Sequence, residues 1–192
     1  MRKLLLCVPM MLFLAGCFPA KVSPAEELAL TIRGEYLEMT ACSAHLAVTA
    51  DYGQRVYQYQ MEASVEGEDM TLTLTAPETV AGMTARFSGE EGTLEYDGVW
   101  TETGALDGDG LTPVSAFPAL LEAARSGYIT ACALEEEDTL LRVDCGDPTG
   151  SPGQGREIAL WFDASSHALV KGEISVDGFR VILCQCASFT EN

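Results

Sequence analysis

Two stretches of this chain alternate apolar and polar residues with a period of two, and only four residues separate them. Between Arg55 and Val65, Tyr57, Tyr59, Met61, Ala63 and Val65 alternate with Gln58, Gln60, Glu62 and Ser64. Met70, Leu72 and Leu74 then alternate with Thr71, Thr73 and Thr75. A period of two puts successive side chains on opposite faces of an extended backbone, so both runs are predicted strands with one buried face. Glu66-Gly67-Glu68-Asp69 between them fits a hairpin turn, and Gly89-Glu90-Glu91-Gly92, Asp97-Gly98 and Asp177-Gly178 mark others. Further strands are predicted at Tyr128 to Leu134, Thr139 to Asp144, Arg156 to Phe162, Ala168 to Val176 and Phe179 to Phe189, with Asp147 to Gly155 as the loosest loop. Strands joined this closely form an antiparallel meander, and one apolar face per strand needs a cover.

Two helical stretches can supply that cover. From Ser23 to about Met39, Leu28, Ile32 and Tyr36 recur at helical spacing beside Ala25 and Ala29. Ser23-Pro24-Ala25-Glu26 opens this helix as a capping box with Pro at its first position. From Pro113 to Arg125, Val114, Phe117, Leu120, Leu121 and Ala124 fit a second helix, weakened in its first turns by Pro118 and stopped by Gly127. The expected fold is α+β: about ten strands in a curved antiparallel sheet, with both helices on the concave face.

Residues before the first helix read as an address. Met1-Arg2-Lys3 precedes an apolar run of about 11 residues, Leu4 to Leu14, too short to span ~30 Å of hydrocarbon. The next residues, Ala15-Gly16-Cys17, complete a resemblance to the bacterial lipoprotein box, in which the cysteine is diacylated and the chain is cut before it. Residues 1–16 are then a signal peptide, 17–22 a lipidated tether and 23–192 a single domain. Cys17 carries a covalent diacylglycerol, and its two acyl chains give stable attachment at ~0.8 kcal/mol per buried CH₂. The tether spans at most ~20 Å, so the domain is held at the outer face of the cytoplasmic membrane. Eleven Lys and Arg against 29 Asp and Glu give a formal charge of −18, two units more negative once Arg2 and Lys3 leave. Such a field repels phosphate backbones and excludes nucleic acid as a partner.

The lipobox, the first helix, a meander with the hairpin Tyr96-Asp97-Gly98-Val99-Trp100, a mid-chain helix containing Pro118 and a second meander together resemble the LolA/LolB-type lipoprotein-carrier superfamily. The resemblance covers essentially Ser23 to Phe189. It implies an unclosed half-barrel with helices in its mouth, whose apolar cavity receives acyl chains or is adapted to bind protein partners, and a non-catalytic role. Members in single-membrane, spore-forming bacteria include a germination lipoprotein that acts by binding a cell-wall enzyme.

Cys42, Cys132, Cys145, Cys184 and Cys186 remain after processing, an odd number in a compartment that allows disulfides. Cys132 and Cys145 are a candidate bridge if the register of their hairpin opposes them, and Cys42 is a candidate partner for Cys184 or Cys186. The alternative is a set of small buried thiols. Cys42-x-x-His45 with Cys184-x-Cys186 would supply a Cys₃His set, but residues three apart on a strand face opposite sides, so no metal site and no cofactor is expected.

Enzyme motifs fail on inspection. Gly150-Ser151-Pro152-Gly153-Gln154-Gly155-Arg156-Glu157 lacks the Lys and Ser/Thr of a phosphate loop. Asp107-Gly108-Asp109-Gly110 starts like a calcium loop but has Pro118 where the bidentate Glu belongs. His45 and His167 are the only imidazoles, and no G-x-S-x-G accompanies them. Glu135-Glu136-Glu137-Asp138 is expected at a solvated hairpin tip. The candidate apolar cavity comprises Tyr57, Tyr59, Met61, Leu72, Leu74, Trp100, Phe117, Leu121, Trp161 and Phe162, the same residues that a closed core would use. The expected function is a membrane-anchored, non-catalytic module for a protein partner at the cell wall or an acyl ligand. A lipoprotein or lipid carrier is the alternative, and a hydrolase without a recognisable motif is the second.

Overall fold

The computed structural model describes residues 22–89, 91–104 and 108–191. The signal segment, Cys17 and Asp107 lie outside them. Helix α1 (Pro24–Glu38) leads into six strands: β1 (Ala41–Asp51), β2 (Val56–Glu66), β3 (Asp69–Ala76), β4 (Thr84–Ser88), β5 (Glu91–Tyr96) and β6 (Val99–Glu102). Helix α2 (Pro113–Ser126) precedes β7 (Ile129–Glu135), β8 (Leu140–Cys145), β9 (Arg156–Asp163), β10 (Leu169–Val176) and β11 (Phe179–Glu191). These eleven strands agree with the expected count of about ten, and β6, of four residues, is the second arm of the Tyr96–Trp100 hairpin.

All the strands join one sheet in the order β6-β5-β4-β3-β2-β1-β11-β10-β9-β8-β7. Two meanders are fused where the first strand pairs with the last, with Val48 opposite Cys184 and Leu46 opposite Cys186. β6 and β7 are the free edges, so the sheet is an unclosed half-barrel. Its inner face is built from cross-strand rows. One runs Ala44, Ala63, Leu72, Ala85, Leu94, and another runs Val143, Leu160, Gly172, Cys184, Val48.

The helices cover the second of these rows. α1 packs on α2, β7 and β8, and α2 packs on β1, β9 and β11. The Ser23 hydroxyl accepts from the Glu26 N–H at 3.2 Å while the Glu26 carboxylate accepts from the Ser23 N–H at 2.7 Å, the reciprocal box that the sequence predicts. Thr112 and Ser115 cap α2 in the same manner. α2 continues through Pro118, whose cost inside a helix is ~3 kcal/mol. Burial of Phe117, Leu120 and Leu121 offsets it at ~1.5–3 kcal/mol each. Leu120 approaches so closely that a Cβ on Gly172 would lie 2.6 Å from its Cδ2, so glycine in that row is what lets the helix seat. Among the described residues no helix is long and apolar enough to cross a membrane.

Candidate functional site

The ten residues of the predicted cavity do not surround one space. Met61, Leu72, Leu74, Phe117, Leu121 and Phe162 are buried. Tyr59 is half-buried against the core, and Tyr57 stacks on it with ring centroids 6.4 Å apart at the rim. Trp100 stands exposed on the edge strand β6. Trp161 lies on the opposite face of the sheet from Leu160 and Phe162. There Lys171 Nζ sits 3.5 Å from its ring centroid, Arg142 Cζ is 5.1 Å away, and its indole N–H donates to Glu135 at 2.8 Å. The run Leu160-Trp161-Phe162 has no period of two, and cross-strand cations bury its middle member. Glu135 is therefore engaged, while Glu136, Glu137 and Asp138 form the turn after β7 with positive φ.

An open cleft does exist, at the other end of α2. It encloses about 600 Å³ between the C-terminal half of α2, the Gly127–Tyr128 turn, the end of β8, Ile158 and the loop from Gly146 to Arg156. Ala119, Ala123, Cys145 and Ile158 give it an apolar floor, and Glu122, Ser126, Tyr128, Asp147, Gln154 and Arg156 give it a polar rim. None of the ten predicted residues lines it. Local sequence has no signal for it, because it is assembled from a helix end and a glycine-rich loop far apart in the chain.

Hydrogen bonds fix its walls. Arg156 donates to the Gly108 carbonyl at 2.6 Å. Asp147 accepts from the N–H and the hydroxyl of Thr149, both at 2.7 Å, which holds its carboxyl below the usual range and keeps it anionic. Burial pushes the Cys145 thiol up, and its Sγ lies 3.8 Å from the Ala123 carbonyl. The rim thus presents fixed carboxylates and a guanidinium, with a protonated thiol at the floor. His45 is exposed on β1, 3.7 Å from Glu62, and His167 lies in the turn after β9 with Nδ1 2.6 Å from Glu35, so neither imidazole lines the cleft. The arrangement suits binding.

Two arginines clasp the helix pair beside the cleft, and no sequence motif marks them. Arg33 of α1 donates to the Ala124 and Gly127 carbonyls at 3.4 and 2.5 Å, at the C-terminal end of α2. Arg125 of α2 donates to the Tyr36 and Met39 carbonyls at 3.0 and 3.2 Å, at the C-terminal end of α1. Each helix caps the other's orphan carbonyls with a cation, where the helix dipole favours one.

Cys42, Cys132, Cys145, Cys184 and Cys186 are free thiols. Register explains the first candidate pair: Cys132 faces Val143 and Cys145 faces Ile129, so the hairpin does not oppose them. Cys42 faces Glu191, whereas Cys184 and Cys186 face Val48 and Leu46. Burial pushes the Cys42 thiol up to about 11. Hydrogen bonding to Cys186, and burial after it, raise Cys184. Among the described residues no three His, Cys, Asp or Glu side chains are grouped to hold a metal ion.

No family model matches the chain, and no curated protein matches it. Solved structures do. An uncharacterized conserved protein from Thermus thermophilus superposes with a TM-score of 0.53 at 8% identity, over 88% of each chain. A putative outer membrane lipoprotein-sorting protein domain from Vibrio parahaemolyticus gives 0.47 at 11%, over 88% of this chain and 93% of that one. A LolA superfamily protein from Nitrosomonas europaea gives 0.44 at 11%, over 85% and 93%. The likeness to the Thermus thermophilus protein is one of fold. At these identities the likeness concerns the fold alone.

Proposed function

We propose that this chain is an extracytoplasmic lipoprotein, held by diacylated Cys17 at the outer face of the cytoplasmic membrane, that binds an amphipathic ligand in the cleft beside α2. The ligand class is an acyl chain or similar apolar body with a polar end. The cleft carries this reading: its apolar floor, polar rim and volume of about 600 Å³ match small-molecule sites, which run about 300–1,000 Å³. Its rim charges are fixed by hydrogen bonds, which suits orientation of a head group. In this reading the role is non-catalytic binding: the lining offers an apolar floor and hydrogen-bonded charges, and burial raises the Cys145 thiol. In the carrier form of this reading the ligand is the acyl portion of another lipoprotein, received or presented within the ~20 Å reach of the tether.

Native mass spectrometry of the mature protein tests the ligand. The wild type should carry a discrete adduct with the mass of a lipid or acylated peptide. Ser126→Trp, which swings an indole from an exposed helix position into the cleft mouth, should lose it. A clean apo mass for both proteins would overturn the ligand reading and leave a protein partner as the function of the fold. The anchor has its own test: an alkyne fatty acid should label the wild type and spare Cys17→Ser. Label retained by that variant would overturn the anchoring site.

A further inference from the structure

The two free edges of the sheet are unlike. At β7 the ladder shifts register between Ile129 and Ala131 and α1 packs against the strand, and both devices discourage pairing with another chain. β6 has neither. Its ladder with β5 is regular from Val99 to Glu102, it contains no Pro or Lys, and all four of its residues are exposed. Val99 and Trp100 are 73% and 66% exposed. Register sets Val99 beside Tyr96, itself 41% exposed, on one face and Trp100 beside Glu95 on the other. Among the described residues no strand lies on the outer side of β6. A bare, regular edge with an apolar anchor on each face is a template for one more strand.

Charge names the occupant. Glu91, Glu95, Asp97 and Glu102 surround the hairpin of β5 and β6, and the nearby cation Arg86 is already paired to Glu95 at 2.6 Å. We propose that β6 is a β-addition site for an extended basic segment of a protein partner, alternating cationic and apolar residues. Backbone hydrogen bonds to β6 supply affinity. Val99, beside Tyr96, takes the apolar side chains on one face, while Trp100 and Glu102 meet the cations on the other and exclude acidic segments. The site lies at the opposite end of the strand order from the β8–β9 cleft, so it stands or falls independently of the ligand reading.

The test uses the full-length protein in detergent with three synthetic peptides of about nine residues. One alternates Lys and Val, one replaces each Lys with Glu, and one is the Lys-Val peptide N-methylated at every second amide. Fluorescence anisotropy of labelled peptides reads affinity, and amide hydrogen exchange reads location. The Lys-Val peptide should bind saturably and slow exchange at residues 99–102. The Glu and N-methylated peptides should bind at least about tenfold more weakly. Trp100→Lys should weaken the Lys-Val peptide by a similar factor, the size expected of an aromatic anchor. Because Trp100 is exposed, that variant is expected to fold; Glu102→Gln gives a second reading of the charge contribution without touching Val99 or Trp100. The proposal is overturned by absence of binding, by equal affinity for the Glu peptide, or by protection confined to β7. Protection of residues 99–102 that rises with protein concentration alone would also overturn it, since the occupant would then be a second copy of the chain.

Discussion

Replacing Phe117 with alanine should lower the unfolding free energy by about 3–5 kcal/mol, the cost of a large buried side chain whose cavity cannot collapse. Phe117 is fully buried on the face of α2 that meets the sheet. The neighbouring contacts are tight: Leu120 already presses on Gly172 and Ala119 on Gly110, so the helix has little room to settle inward. For a chain of this size the loss corresponds to a fall in Tm of about 6–20 °C. In urea titrations the midpoint should fall with the slope unchanged, as expected when stability changes and compactness does not. Phe117→Leu, a change closer in volume, should cost less than about 1.5 kcal/mol. The same series bears on function. If Phe117 stood where a ligand belongs, its truncation would be tolerated and the enlarged space would take up lipid. A loss below about 1 kcal/mol accompanied by new lipid adducts would therefore sink the account of a core filled by its own side chains.

What the chain discloses locally, the structure repeats almost residue for residue. The alternation from Arg55 to Val65 becomes β2 at Val56–Glu66, and Ser23-Pro24-Ala25-Glu26 becomes the capping box of α1. These features depend on neighbours within four residues, so sequence spacing is enough to read them. The misplaced residues depend on partners elsewhere. Trp161 is turned outward because Arg142 and Lys171 flank it on adjacent strands, which is knowledge of register rather than of period. Cys132 and Cys145 sit on one hairpin, yet the irregularity between Ile129 and Ala131 helps set which residues oppose them. Trp100 has the composition of a core residue and the position of an edge residue. The cleft eluded motif reading altogether: its floor includes Ala119, Ala123 and Cys145, residues that no chemistry-based search would mark.

The arginine clasp shows the same limit and yields the second large effect. Arg33 and Arg125 recognise backbone carbonyls, so no side-chain motif announces their partners. Hydrogen bonds from a charged donor contribute about 1.5–3 kcal/mol net, and removing the cation also leaves buried helix-end carbonyls without a partner. Arg33→Met and Arg125→Met, which keep the aliphatic stem and delete the guanidinium, should each cost about 1.5–3 kcal/mol by urea unfolding. Both cations join the same two helix ends. The double variant should therefore lose less than the sum, with a coupling of about 0.5 kcal/mol or more. Single losses below about 0.5 kcal/mol, as for ordinary surface positions, would mean that the clasp contributes nothing to the helix pair. The two variants should part company in ligand binding. Arg33 holds the carbonyl of Gly127, a residue of the cleft wall, whereas Arg125 holds carbonyls of Tyr36 and Met39, which do not line the cleft. Arg33→Met should thus deplete the adduct seen by native mass spectrometry more than Arg125→Met does at matched stability. Equal depletion would show that the clasp acts on the cleft only through the stability of the helix pair.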